Sequence, residues 1–144
     1  MSTSLEALLA HHEIGRELTR FARAMDDRDW ATLTAILTDD ATAEFGSGLI
    51  EGPEAIVATI RQYLEACGTT QHLLGNLLVE AQGDQATSRC YVSDMHLARG
   101  DASEPTFRSL GDYHDRWVRL DGRWRLAARH KHNRALIGSM DVFR

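Results

Sequence analysis

Apolar residues recur every three or four positions in the first part of the chain, which is the spacing of an amphipathic helix with one buried face. The recurring positions are Leu5, Leu8, Leu9, Ile14, Leu18, Phe21, Ala22 and Met25. Ser4 is a suitable N-cap, so the spacing predicts a helix from about Ser4 to Met25. Asp26 follows at the end of the apolar stripe. We expect its carboxylate to point from the buried side of the helix into whatever that side covers.

Two shorter helices are predicted next. Asp29 is a good N-cap for the second helix, which should end at Thr38-Asp39-Asp40. Its apolar face comprises Trp30, Leu33, Ile36 and Leu37. A short strand at 41–45 and a brief return strand at 49–51 follow. Pro53 then begins a third helix, because proline is tolerated in the first turn.

From Thr69 onward the apolar period changes to two, which is typical of strands. The predicted strands are 69–81, 86–99, 105–120 and 124 to about 135, while the tail 136–144 stays unassigned. Helices followed by a meander of long antiparallel strands indicate an α+β fold. Long strands twist and bulge, so we predict a curved antiparallel sheet that forms a cone. The three helices of the N-terminal half should cover its concave face and enclose a pocket.

Parity along the predicted strands indicates which side chains face that pocket. Tyr113 and Trp117 share one face of their strand, and we expect Trp117 to contact a bound molecule. Trp124, Leu126, Ala128 and His130 share the inward face of the last strand. His72 has the parity of Leu74 and Leu78.

Composition limits the class of protein. A chain of 144 residues is expected to form one domain over residues 1–144. The net charge of -5 argues against a nucleic-acid partner, which would require a basic face. No run of apolar residues is long enough to cross a membrane, and no signal peptide is apparent. With two cysteines in no ligand spacing, we expect reduced thiols and a cytoplasmic protein.

Asp26 and His72 are the residues whose pairing would support catalysis in such a pocket. A carboxylate beside an imidazole holds one tautomer and stabilises the imidazolium, so the histidine can act as a general base. The alternative is a structural histidine and a solvated or capping carboxylate. His130 and His132 share one strand face, but the sequence offers no third ligand, so we predict no metal site.

Several residue runs resemble the SnoaL-like family of the nuclear-transport-factor-two superfamily. The run 21–30 at the end of the first helix, which contains Asp26, resembles that family's signature. We expect the neighbouring Asp27 to face solvent. Further similar runs are 52–56, 70–76 and 121–126, together with Tyr113. The resemblance is nearest to the scytalone dehydratase and hexachlorocyclohexane dehydrochlorinase branch, and it covers nearly the whole chain.

This resemblance implies roles for particular residues. Asp26 and His72 fall on the catalytic pair of that branch, in which the histidine removes a proton. His96 matches a second active-site histidine, Arg129 an active-site arginine, and Tyr113 a cavity-facing asparagine. One departure is that methionine precedes Asp26 where scytalone dehydratase has a tyrosine. A water molecule that this tyrosine would hold must then be held by another residue, and Tyr113 is the candidate.

The sequence therefore indicates a cofactor-independent lyase of the dehydratase type that acts on a small, hydrophobic or cyclic molecule. An isomerase or polyketide cyclase could use the same pocket. A third alternative is a ligand-binding or partner domain in which the dyad is only a buried polar contact. We expect no cofactor. Apolar outer-face positions such as Val92 and Leu110, interrupted by Arg116 and Arg125, are compatible with a homo-oligomer (dimer or trimer).

Overall fold

The computed structural model describes residues 4–144 and contains three helices and six strands in this part of the chain. The helices are α1 (Leu5–Asp26), α2 (Trp30–Ile36) and α3 (Pro53–Ala66). The strands are β1 (Leu37–Glu44), β2 (Leu49–Glu51), β3 (Thr70–Gln82), β4 (Gln85–Ala98), β5 (Ala102–Leu120) and β6 (Arg123–Gly138). Short 3-10 turns lie at Arg99–Asp101 and Met140–Phe143.

The three helices begin where the sequence predicts them. The Ser4 hydroxyl accepts a hydrogen bond from the backbone N–H of Ala7 at 3.2 Å, and the Asp29 carboxylate accepts one from that of Thr32 at 3.2 Å. These bonds satisfy N–H groups that the start of a helix leaves without partners. Pro53 occupies the first turn of α3. Within residues 4–144, no helix is long and apolar enough to cross a membrane.

Strand β1 begins immediately after α2, so the predicted end of that helix at residues 38–40 is wrong. Leu37 already has an extended backbone, with φ −81° and ψ 146°. Leu37 and Thr38 are both buried, whereas Asp39 and Asp40 are both exposed. Because this pattern does not alternate, the sequence carries no period of two at the junction.

All six strands belong to one sheet in the order β2-β1-β6-β5-β4-β3. Neighbouring strands are antiparallel except β1 and β6, which are parallel. The outer strands β2 and β3 are not paired with each other in the part of the chain described, so the curved sheet remains open. Helix α1 packs against β3, and α3 packs against β1 and β2. The predicted α+β cone, with three helices over its concave face, is confirmed.

One extra residue in β6 reverses which side chains face the helices. The pairing of β5 with β6 shifts register at Ala127. Before this bulge Trp124 is buried, as predicted, but after it Arg129 is buried and His130 is exposed. The prediction that Ala128 and His130 face inward is therefore wrong, because a single inserted residue inverts the alternation.

A second bulge changes the inward row of β3. The register with β4 shifts between Gly75 and Leu78, and Asn76 has a positive φ of 55°. His72 and Leu74 lie before the bulge and are half-buried, whereas Leu78 lies after it and is 58% exposed. The predicted shared face of His72 and Leu78 is therefore wrong.

The core lies between α1, α3 and the inner face of the sheet. Trp117 is fully buried there, and its indole N–H donates to the Ser88 hydroxyl at 2.8 Å. Val92, predicted on the outer face, is only 1% exposed and belongs to the same core. Buried and less buried side chains alternate along β4 without interruption, so the prediction placed Val92 on the wrong face of the strand.

The tail that the sequence left unassigned returns to the concave side. Strand β6 continues to Gly138, and the Ser139 hydroxyl then accepts a hydrogen bond from the backbone N–H of Asp141 at 3.1 Å. Val142 is buried, and the Phe143 ring packs edge-on against His96 with 5.0 Å between ring centroids. The tail therefore forms part of the wall around the interior.

The buried stripe of α1 gives a test of the fold. Leu18→Ala should lower the free energy of unfolding by about 2–5 kcal/mol, because Leu18 is 3% exposed and its removal leaves a cavity. Urea unfolding followed by circular dichroism measures the change. Leu8→Ala is the matched control on the same helix, at a position that is 68% exposed. Equal losses for the two variants would contradict the assigned burial of this helix.

Candidate active site

The carboxylate of Asp26 and the imidazole of His72 are in direct contact. Asp26 ends α1, His72 lies near the start of β3, and His72 Nδ1 is 2.7 Å from Asp26 Oδ1. An ionised carboxylate only accepts hydrogen bonds, so Nδ1 carries the hydrogen, and in the neutral imidazole Nε2 presents a lone pair. The His72 side chain is 7% exposed, and no described residue hydrogen-bonds to its Nε2.

Strand β3 supplies the other partners of the Asp26 carboxylate. Oδ1 accepts from the Thr70 hydroxyl at 2.9 Å, and Oδ2 accepts from the backbone N–H of His72 at 3.0 Å. Burial alone would raise the pKa of Asp26, but the side-chain and backbone hydrogen bonds from His72 and the bond from Thr70 outweigh it. The pKa of Asp26 is therefore below its usual value, and the group is a carboxylate at neutral pH.

Arg28 fixes the end of α1 to the start of β3. The backbone of Arg28 has a positive φ of 58°, and its side chain folds back beneath the dyad. Nη1 donates to the carbonyl oxygens of Met25 and Asp26 at 2.9 and 3.3 Å and to the Thr70 hydroxyl at 2.8 Å. Nη2 donates to the carbonyl oxygen of Gly68 at 2.7 Å. One guanidinium thus holds both segments that carry the dyad.

A cavity of about 340 Å³ opens in front of His72. Its helical side is mostly apolar, with Phe21 and Met25 from α1 and Ile60 and Leu64 from α3, and it also includes Thr59 and Tyr63. Its sheet side carries most of the polar groups, which are His72, Asp94, His96, Ser109, Tyr113, Arg129, Lys131 and Asn133. Phe143 from the tail also lines the space. A concave, largely apolar space with a few convergent polar groups is typical of a small-molecule site.

His96 and Tyr113, both predicted site residues, line this cavity. The His96 ring lies 5.6 Å from the His72 ring, centroid to centroid, and its Nδ1 is 3.2 Å from the carbonyl oxygen of Phe107. Burial lowers the pKa of His96 to about 4, so the ring is neutral near pH 7. Burial raises the pKa of Tyr113, which keeps the phenol protonated. Among the described residues its hydroxyl has no hydrogen-bond partner.

Arg129 also lines the cavity, and two of the five N–H donors of its guanidinium bind a carboxylate. Nε and Nη2 donate to the two carboxylate oxygens of Asp115 at 2.9 and 3.0 Å, and both side chains are buried. Burial would lower the pKa of Arg129, but the carboxylate of Asp115 raises it more, so the group stays charged. Its Cζ lies 3.7 Å from the ring centroid of Tyr113. The contact holds the Tyr113 ring in place.

Trp117 is the predicted site residue that the structure does not bring to the cavity. It faces inward, as its parity indicated, but it lies nearer the end of β5 and is fully buried among core residues. Parity identifies the face of a strand but gives no position along the cone.

Sequence analysis missed a polar cluster on the cavity wall. Lys131 Nζ donates to Asp94 Oδ2 and to the Ser109 hydroxyl, both at 2.8 Å, and that hydroxyl donates to Asp94 Oδ2 at 2.7 Å. Lys131 lies between His130 and His132 in the sequence, and it faces inward because of the bulge described above. No group of three or more metal-ligating side chains within residues 4–144 is arranged to hold a metal ion.

Residues 6–130 match the SnoaL-like domain family. The chain therefore belongs to that family, and the resemblance drawn from its residue runs is confirmed. An uncharacterized protein of Mycobacterium tuberculosis is 31% identical to it over 119 residues, which cover 81% of this chain and 80% of that protein.

Solved structures share the fold. A Mycobacterium tuberculosis protein of unknown function superposes with a TM-score of 0.82 at 25% identity, covering 95% of this chain and 79% of that one. A candidate scytalone dehydratase from Novosphingobium aromaticivorans gives 0.84 at 19% identity, covering 92% and 89%. The type 3 hexachlorocyclohexane dehydrochlorinase of Novosphingobium barchaimii gives 0.81 at 19% identity, covering 94% and 93%. At 19% identity the likeness shows the fold alone.

The lowered pKa of Asp26 predicts a pH dependence of stability. The ionised carboxylate stabilises the fold above its unfolded pKa, and this contribution is lost as pH falls through the lower folded pKa. Asp26→Asn should therefore be less stable than the parent protein at pH 7, and the difference should shrink below about pH 4. Urea unfolding at a series of pH values measures it. Asp27→Asn, at an exposed neighbour, is the control, and a pH-independent difference would contradict the assignment.

The clamp made by Arg28 is tested by Arg28→Met, which keeps the length of the side chain but removes its donors. We expect a loss of about 2–4 kcal/mol in the free energy of unfolding, because carbonyl oxygens at the helix end lose their charged partner. Arg23→Met, at an exposed position in the last turn of α1, should change stability little. Thermal unfolding compares the two, and equal effects would rule out the clamp.

Proposed function

We propose that the protein is a cofactor-independent lyase of the dehydratase type, acting on a small apolar or cyclic molecule. The observation that carries the proposal is the 2.7 Å contact between His72 Nδ1 and Asp26 Oδ1 at the wall of a cavity with an apolar side. A base with a free lone pair, oriented by a half-buried carboxylate and facing a cavity, is the arrangement that proton abstraction requires.

His72 is the base in this mechanism. Nε2 forms a bond to a hydrogen on a carbon next to an activating group such as a carbonyl. The electrons of that C–H bond form the new double bond, and the leaving group departs from the adjacent carbon with its bonding pair. Asp26 stabilises the imidazolium that results. General base catalysis of this kind contributes about a hundred- to ten-thousand-fold to the rate.

Tyr113 is the hydrogen-bond donor in this mechanism. Its phenol is protonated, has no partner among the described residues and lines the same cavity as His72. It can donate to the activating oxygen or to the departing group, where negative charge develops. Arg129 packs over the face of the Tyr113 ring and keeps a positive charge nearby. His96, neutral and with its Nδ1 turned toward Phe107, contributes to the shape and polarity of the wall.

The names of two structural neighbours support an elimination reaction. One is a candidate scytalone dehydratase and the other a hexachlorocyclohexane dehydrochlorinase. Both names denote loss of a small group from an organic molecule. An isomerase or cyclase would share the first step and differ in the fate of the carbanion. Product analysis therefore separates these alternatives.

The test uses 3-hydroxycyclohexanone and 3-chlorocyclohexanone in D2O, with proton NMR and mass spectrometry to follow loss of the leaving group and deuterium uptake. We expect enzyme-dependent loss of the leaving group. His72→Gln and Asp26→Asn should each lower the rate about a hundred- to ten-thousand-fold, because they remove the base and its orienting carboxylate.

His11→Gln is the matched control, since His11 lies on the exposed face of α1. It should keep the full rate. Full activity in both dyad variants, with folding confirmed by circular dichroism, would overturn the proposed mechanism. Deuterium uptake without loss of the leaving group would favour the isomerase alternative.

A further inference from the structure

We propose that Asp94, Ser109 and Lys131 form a second polar subsite of the cavity, and that this subsite binds a hydroxyl group of the substrate. The inference rests on the proposed function in one respect: it takes the cavity in front of His72 as the substrate site. It narrows the substrate to a molecule that carries an alcohol or phenol group in addition to the carbon that loses its proton.

Counting donors and acceptors in the cluster leaves one of each unused. Lys131 has three N–H donors and uses two, on Asp94 Oδ2 and the Ser109 hydroxyl. Asp94 Oδ2 accepts from both of these groups, whereas Asp94 Oδ1 is buried and accepts from no described residue. The Ser109 hydroxyl both donates and accepts within the cluster. The spare groups are therefore Asp94 Oδ1 and the third N–H of Lys131.

Leaving Asp94 Oδ1 without a hydrogen bond costs free energy unless a bound molecule supplies a donor. Asp94 is 1% exposed, and a buried charged acceptor without a hydrogen bond is strongly unfavourable. His96 does not supply that bond, because its Nδ1 is 3.5 Å away and lies closer to the carbonyl oxygen of Phe107. Asp94 and Lys131 both line the cavity, so the missing partner can come from a bound molecule.

A hydroxyl group fits this pair better than other small polar groups. It donates one hydrogen bond and accepts others, so it can satisfy Asp94 Oδ1 and Lys131 together. A carbonyl or ether oxygen would satisfy only Lys131, and a chloride would leave the carboxylate without a donor. The remaining surface of such a molecule would lie against the apolar side chains of α1 and α3.

The experiment measures binding of two fluorinated probes by 19F NMR titration. 4-Fluorophenol can donate a hydrogen bond to Asp94, whereas 4-fluoroanisole has the same ring and cannot donate. We expect the parent protein to bind 4-fluorophenol about ten-fold more tightly or better, the difference that a hydrogen bond to a charged group provides. Equal affinities, or failure of 4-fluorophenol to bind, would overturn the proposal.

The double variant Asp94→Leu/Lys131→Met removes both charges together, so neither is left buried without its partner. It should bind the two probes with nearly equal affinity. Asp94→Asn keeps the shape and removes only the charge, and it should show an intermediate preference. Circular dichroism and thermal unfolding establish that each variant is folded. If only one variant folds, its affinity ratio decides the question alone.

His72→Gln separates this proposal from the proposed function. It should lose turnover but keep the preference for 4-fluorophenol, because the subsite does not include His72. If the preference disappears in His72→Gln and survives in the double variant, the phenol is bound by the dyad and the subsite is wrong. A preference that depends on Asp94 and Lys131, with full turnover in the dyad variants, would support the subsite and refute the lyase.

Discussion

The docking of the end of α1 onto the start of β3 is the constraint on which the site depends. Asp26 is half-buried, and its charge is tolerated because Thr70 and the backbone and ring of His72 all donate to it. Arg28 joins the same two segments by bonds to carbonyl oxygens and to Thr70. The ionisation of Asp26, the packing of the end of α1 on β3 and the orientation of the His72 ring are therefore coupled.

The cavity combines an apolar helical side with a polar sheet side, and paired charges make this possible. Arg129 is matched by Asp115, and Lys131 by Asp94, so neither cation is buried alone. In the first pair both carboxylate oxygens accept from Arg129, whose guanidinium packs over the Tyr113 ring, whereas in the second pair Asp94 Oδ1 accepts from no described residue. Arg129 and Lys131 both lie on β6, and their partners lie on β5 and β4, respectively. The polar groups of the sheet would orient a molecule bound in the cavity, and the apolar side chains of the helices would exclude water from it.

Periodicity predicted the helices and the long strands, because long uniform elements dominate this chain. The pairing of Asp26 with His72 was inferred instead from the position of Asp26 at the helix end and from the resemblance to the SnoaL-like family. Unbroken alternation in β5 placed Tyr113 on the correct face. The same reasoning failed in β6, since the bulge at Ala127 has no distinctive residue and results from pairing with a neighbouring strand. The role of Arg28 could not be predicted either. Two of its acceptors, the Thr70 hydroxyl and the Gly68 carbonyl oxygen, are distant in sequence, and a pattern of side chains does not indicate which carbonyl oxygens accept hydrogen bonds.

The extra residue at Ala127 decides which of two rows of β6 side chains lines the cavity. In the observed phase Arg129 and Lys131 front the interior, while His130 and His132 stack on one another outside, with 3.9 Å between their rings. Deleting one residue there would exchange the rows and present imidazoles where cations now stand. A single-codon deletion at this bulge would therefore change the polar lining of the cavity without replacing any of the side chains involved.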